Sequence, residues 1–140
     1  MTWTTPRTWV AGETPSASTF NTHVRDNLSW LYSGDAWTNV TVFSNSWAAY
    51  DTTSWQVRYG HVGPFTVLQG LVKSGTVGSA CFTLPVGYRP GKNMIWSTSD
   101  SAGGTHYAEL RVNSDGTVVP NVSSNTTWFS LHPAIFLTEG

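Results

Sequence analysis

Charge is scarce in this chain. Seven Lys+Arg stand against eight Asp+Glu in 140 residues, 11% in all, where globular chains carry about 25%. A formal net charge of -1 leaves no basic footprint for a nucleic-acid partner. Long apolar runs are missing too: none exceeds five residues, against the about 20 that a membrane-spanning helix needs. The single cysteine, Cys81, excludes an intrachain disulfide, and its setting in Ala80-Cys81-Phe82-Thr83-Leu84 reads as a buried strand position. The N-terminal residues Met1 to Arg7 hold no apolar segment of the kind that forms a secretory leader, so synthesis in a cytoplasm is expected.

Catalytic and cofactor signatures are equally thin. His23, His61, His106 and His132 are too far apart for the usual zinc spacings, and no Cys-x-x-Cys or His-Glu-x-x-His occurs. Gly60-His61-Val62-Gly63 is not a phosphate-binding loop, and Gly-x-Ser-x-Gly is absent. Glycoside hydrolysis needs two facing carboxylates, and no two of the acidic residues suggest such a pair. Asp51 and Asp100 lie in polar loops that read as mobile connections. No enzyme activity, metal or cofactor is expected.

What the chain has is aromatic and hydroxyl side chains: 8 Trp, 5 Tyr, 6 Phe, and 36 Ser+Thr. Residues 1–15 are turn-rich yet carry Trp3 and Trp9, so they read as an arm that packs on something. Residues 16–33 read as one helix, capped by Ser16 or Ser18 and stopped at Gly34. Its apolar positions Phe20, Val24, Leu28 and Leu31 form a single narrow stripe. A stripe that thin needs a partner, either the body of the protein or other copies of the helix. His23 and Asn27 flank it, where polar residues set register in helix bundles or simply face water.

From residue 35 onward the pattern is β. About eight short apolar-alternating runs, over 35–43, 54–59, 64–73, 79–84, 93–97, 107–112, 117–119 and 127–136, are separated by Gly, Pro, Asn and Ser. Asn113-Ser114-Asp115-Gly116 is a hairpin turn. No βαβ alternation occurs. The expected fold is therefore mostly β: an antiparallel, jelly-roll-like β-sandwich head over 35–140, preceded by an arm and one α-helix over 1–34. Eight tryptophans exceed what such a core holds, which leaves some for contact surfaces. Sugar rings stack on flat aromatic faces beside hydroxyl donors. Trp47, Tyr50, Trp55, Trp96, His106 and Tyr107 are the candidates for a saccharide-contacting face, with ordinary packing the alternative for each.

Two stretches carry a family resemblance. Arg7-Thr-Trp9-Val-Ala-Gly12-Glu13, followed by Phe20-Asn-Thr-His23-Val-Arg25-Asp-Asn27-Leu28, resembles an N-terminal module of small tailed-phage virion proteins. Leu84-Pro-Val-Gly-Tyr88-Arg-Pro90, with the later Leu110 to Gly116 hairpin, is similar to the head domains of phage tail-fibre and baseplate proteins. The turn segment also has a purely structural reading, with Tyr88 packing and Arg89 bonding to carbonyls. The resemblance implies a homotrimeric structural protein on the virion surface whose head contacts host-surface polysaccharide. Its other partners would be phage structural proteins of the tail or baseplate, or the major capsid protein. Trp3, Arg7, Trp9, Phe20, Val24, Leu28 and Leu31 are the expected attachment and oligomerisation residues. Long fibres carry repeated shafts and this chain has none, so a capsid-decorating or head-fibre protein is the alternative. A free carbohydrate-binding module is a more remote one.

Overall fold

The computed structural model describes residues 3–33, 36–102 and 107–139. The fold is mostly β, with antiparallel sheets and one helical stretch near the N-terminus. The helix (α1) begins where the Ser16 hydroxyl accepts the Thr19 N–H at 3.1 Å. It runs as α-helix over Ala17–Phe20, as π-helix over Asn21–Asp26, and as α-helix again over Asn27–Ser33. π geometry is rare and appears mostly as single-turn bulges inside α-helices, as over Asn21–Asp26 here. The expected stop at Gly34 lies outside the described residues.

Among the described residues eleven strands follow in chain order: β1 Thr38–Asn39, β2 Ala48–Ala49, β3 Arg58–Val62, β4 Phe65–Gln69, β5 Leu71–Lys73, β6 Phe82–Thr83, β7 Met94–Thr98, β8 Ala108–Val112, β9 Thr117–Val122, β10 Phe129–Ser130 and β11 Ile135–Leu137. They form three antiparallel sheets, ordered β1-β3-β4-β11, β10-β5-β2 and β6-β9-β8-β7. The first two are continuous through Gly70, which separates β4 from β5 at φ +105°. A Cβ there would sit 2.4 Å from the Gln56 carbonyl oxygen, so only glycine fits this crossing.

The core lies between the joined sheets and the β6-β9-β8-β7 sheet. Leu68, Val72, Phe129 and Phe136 from one side meet Phe82, Leu110, Val112 and Val118 from the other. Alternation in β8 puts Ala108, Leu110 and Val112 inward and Glu109 and Arg111 outward. The β8–β9 hairpin turns where expected: Gly116 takes φ +91°, and the Asp115 carboxylate accepts both the N–H and the hydroxyl of Thr117. Pro120 interrupts β9 opposite a bulge at Glu109/Leu110, the place a sheet tolerates a missing N–H. Cys81 is fully buried and its thiol donates to the Val118 carbonyl. Burial pushes that thiol far above its ordinary range, which fits a packing role and not a nucleophile.

The Leu84-to-Pro90 segment is a tight turn. Gly87 is at φ +90°, and Arg89 Nε donates to the Leu84 carbonyl at 2.9 Å. Tyr88 stacks flat on His61, with ring centroids 4.2 Å apart and planes at 5°, and meets Tyr59 edge-on.

Candidate functional site

A cleft of about 350 Å³ opens beside the β10-β5-β2 sheet. Its size falls within the about 300–1,000 Å³ range of small-molecule sites. Tyr50, Trp55 and Trp128 supply aromatic faces, Leu71 the apolar floor, and Ser99, Ser130 and His132 the polar groups.

Each wall is fixed by backbone bonding. Tyr50 follows β2, and its N–H donates to the Leu71 carbonyl at 2.9 Å, while Lys73 Nζ donates to the Tyr50 carbonyl. The next residues form a loop closed by Asp51, whose Oδ1 accepts the N–H groups of both Thr53 and Trp55 at 2.9 Å. The Trp55 amide above all holds the Asp51 carboxyl below its usual range. Leu71 N–H then donates to the Trp55 carbonyl, which pins the loop to β5. The Trp55 ring is half exposed and stands edge-on to His132, with centroids 5.8 Å apart and planes at 87°.

The opposite wall is built around Asp100, which is buried at 4% exposure. One oxygen accepts the Ala102 N–H; the other accepts the Ser123 hydroxyl and the N–H groups of Ser124 and Asn125. Burial pushes this carboxyl up, but the hydrogen bonds, the Ser123 hydroxyl first, outweigh it and hold it below the usual range. Residues 100–102 are therefore anchored where the sequence suggests a mobile connection; 103–106 lie outside the described residues. Ser101 N–H donates to the Trp128 carbonyl and Ser130 N–H to the Ser99 carbonyl, so the indole of Trp128 is presented from a fixed backbone. Ser130 Oγ lies 3.2 Å from His132 Nδ1.

Of the six aromatic candidates, the structure brings Tyr50 and Trp55 together in the cleft. Trp47 is corrected: it is 4% exposed, in the core, 6.4 Å from Phe129, with its indole N–H on the Thr76 carbonyl. Gly75 makes room for it, since a Cβ at that position would fall inside the indole. Trp96 packs half-buried against the core beside Phe136 and does not line the cleft. Tyr107 is exposed on the outer face of β8's sheet, its hydroxyl donating to Glu109 at 2.6 Å, away from the cleft lining. His106 lies outside the described residues. Trp128, His132, Ser99 and Ser130 were missed. Trp128 sits beside a Ser/Asn/Thr loop, the one local signal that could have raised it.

The N-terminal candidates form a second constellation. The arm runs back along α1: Trp3 packs on Trp30 at 5.5 Å and Trp9 on Phe20 at 6.0 Å. Between them Asn27, 4% exposed, accepts the Thr4 N–H at 3.0 Å and donates to the Thr4 carbonyl at 2.7 Å. It also donates to the His23 carbonyl. Arg7 pairs with Glu13 at 2.5 Å and lies over the Trp9 ring. The arm thus meets the helix at Phe20, Asn27 and Trp30. Among the described residues nothing buries the expected stripe: Val24 is half-buried, while Phe20, Leu28 and Leu31 are 52%, 60% and 51% exposed. Trp30, absent from the expected set, reaches the head, 6.4 Å from His61.

No protein-family model and no curated protein matches this chain. Among solved structures, it is similar to the receptor binding protein (gp15) of Listeria phage PSA. The TM-score is 0.61 at 19% sequence identity, covering 91% of this chain and 82% of that one. The likeness is one of fold.

Proposed function

We propose that this chain is a receptor-binding protein on the virion of a tailed phage, whose β-sandwich head contacts host-surface saccharide through the Tyr50–Trp55–Trp128 cleft. The observation that carries this reading is the cleft itself: three aromatic side chains from two loops, held by backbone bonds, around an apolar floor edged by hydroxyl and imidazole groups. Aromatic faces take the C–H side of a sugar ring, and Ser99, Ser130 and His132 are placed for its hydroxyls. The fold likeness to a phage receptor binding protein supports the same reading.

In this reading the molecule acts by binding and not by chemistry, and it works as a homotrimer. Leu28 and Leu31 form the seam, and the apolar surface continues from Trp3, Trp30 and Leu31 across Pro64 to Phe65 and Leu137 on β4 and β11. The arm, with Trp3, Arg7 and Trp9, braces that helix and meets the phage structural proteins of the tail. Exposed apolar area on this scale is the usual mark of an interaction surface.

The test is binding of the purified chain to a printed panel of bacterial surface polysaccharides, with Trp55→Ala and Trp128→Ala beside it. Binding by the wild type that falls at least tenfold in both variants is the expected result. Undiminished binding by both variants would move the contact elsewhere, and no saccharide binding at all would remove the proposed function.

A further inference from the structure

A second, polar recess of about 90 Å³ adjoins the aromatic cleft and shares two of its walls, Trp55 and His132. Its other lining includes Thr53, Ser54, Arg58 and Gln69. Arg58 on β3 sits directly opposite Gln69 on β4, and Arg58 Nε donates to Gln69 Oε1 at 2.9 Å. The guanidinium lies over the Trp37 ring at 4.7 Å. Among the described residues Arg58 forms no ion pair; the two ion pairs are Arg7–Glu13 and Arg25–Asp26. The sequence-adjacent carboxylate, Asp51, does not line the recess, and one of its oxygens caps the Thr53 and Trp55 amides. Among the described residues, hydroxyl groups and one guanidinium thus line the recess without a carboxylate, and that guanidinium is already fixed on one face and at one nitrogen.

We propose that this recess receives an anionic group, carboxylate or phosphate, carried by the saccharide that lies in the aromatic cleft, with Arg58 as the residue that selects for it. The inference rests on the saccharide reading above. A guanidinium presents its terminal N–H groups as a planar fork matched to an oxyanion, and the Trp37 stack and Gln69 bond hold that fork before the ligand arrives. Little side-chain entropy is then lost on binding. The recess is too small for a second sugar ring and large enough for one such group. The shared Trp55–His132 wall places that group next to a ring stacked on Trp55.

The test uses the full chain and four probes, glucose, glucuronic acid, glucose 6-phosphate and inorganic phosphate, titrated by NMR at low and high salt. The acidic sugars should bind about tenfold more tightly than glucose, with the preference shrinking at high salt. Arg58→Gln should remove the preference and leave glucose binding unchanged. Whichever acidic sugar gains more identifies the anion. Phosphate alone binding as tightly as glucose 6-phosphate would overturn the coupling to the cleft. Equal binding of glucose and both acidic sugars, still sensitive to Trp55→Ala, would overturn the anion recess and leave the saccharide reading standing. Insensitivity of every sugar to Trp55→Ala would overturn both. If Arg58→Gln lowers the melting temperature, the salt dependence in the wild type decides by itself.

Discussion

Asn27→Ala should release the N-terminal arm. In the folded chain the Asn27 side chain makes three hydrogen bonds, two to the Thr4 backbone and one to the His23 carbonyl. Each such bond is worth a net ~0.5–1.5 kcal/mol. Only the two Thr4 bonds hold the arm, so the clamp is worth about 1–3 kcal/mol. That converts to a roughly 5- to 150-fold increase in the open fraction of the arm. Arg7 offers a trypsin site inside the arm, and in the closed state its side chain is engaged by Glu13 and Trp9. When opening and reclosing outpace cleavage, the rate of cutting follows the open population. Cleavage after Arg7, followed by mass spectrometry, should therefore accelerate by that factor in Asn27→Ala. Tyr32→Ala, at a helix position 94% exposed, is the matched control and should change the rate less than twofold. Equal cleavage rates in wild type and Asn27→Ala would refute the clamp, and so would an equal acceleration in the control.

Leu28→Glu and Leu31→Glu place charge on the exposed stripe and should convert the proposed trimer of 15.3 kDa chains, about 46 kDa, to monomer in native mass spectrometry without loss of fold. A wild type that is monomeric at all concentrations contradicts the seam. Gly75→Ala drives a methyl into the Trp47 indole and should cost about 1–3 kcal/mol in denaturant unfolding. Asp100→Asn replaces one of the two oxygens that together accept four donors with an amide nitrogen that cannot accept, and should cost about 1–3 kcal/mol, read as a lower melting temperature. The Asp100 carboxyl is held below its unfolded value, so its contribution is complete near neutral pH and fades as the pH falls below about 4. The wild-type stability advantage over Asp100→Asn should shrink in that acid range; an advantage that grew there would reverse the sign of the argument.

Much of the fold was legible because it is local. Ser16 and the 3.6-residue spacing located the helix, and Asp115-Gly116 located the β8–β9 hairpin. Alternation found most strands, although β2, two residues long, carried too little pattern to register. What was hidden depends on contacts distant in sequence. The helix stripe was visible, but only the Thr4–Asn27 pairing, 23 residues apart, decides which face the arm covers. Trp47 and Trp55 look alike in sequence. Gly75 and the Thr76 carbonyl admit the first to the core, while the Asp51 turn holds the second at the surface. The cleft joins a loop near residue 55 to residues 99, 128 and 132, so Trp128 and His132 could not be paired with Trp55 from spacing alone. Asp100 looked like part of a loose loop because its donors, Ser123 to Asn125, lie more than twenty residues downstream.

The central claim is that the Trp55–Trp128 cleft binds saccharide, and the indole N–H signals of the eight tryptophans test it in one experiment. A saccharide found by the panel is titrated into labelled protein. Trp55 and Trp128 should shift, while Trp47, bonded to Thr76 in the core, and Trp3, Trp9 and Trp30 in the arm and helix should not. Shifts confined to the arm and helix, with Trp55 and Trp128 unmoved, would contradict the account.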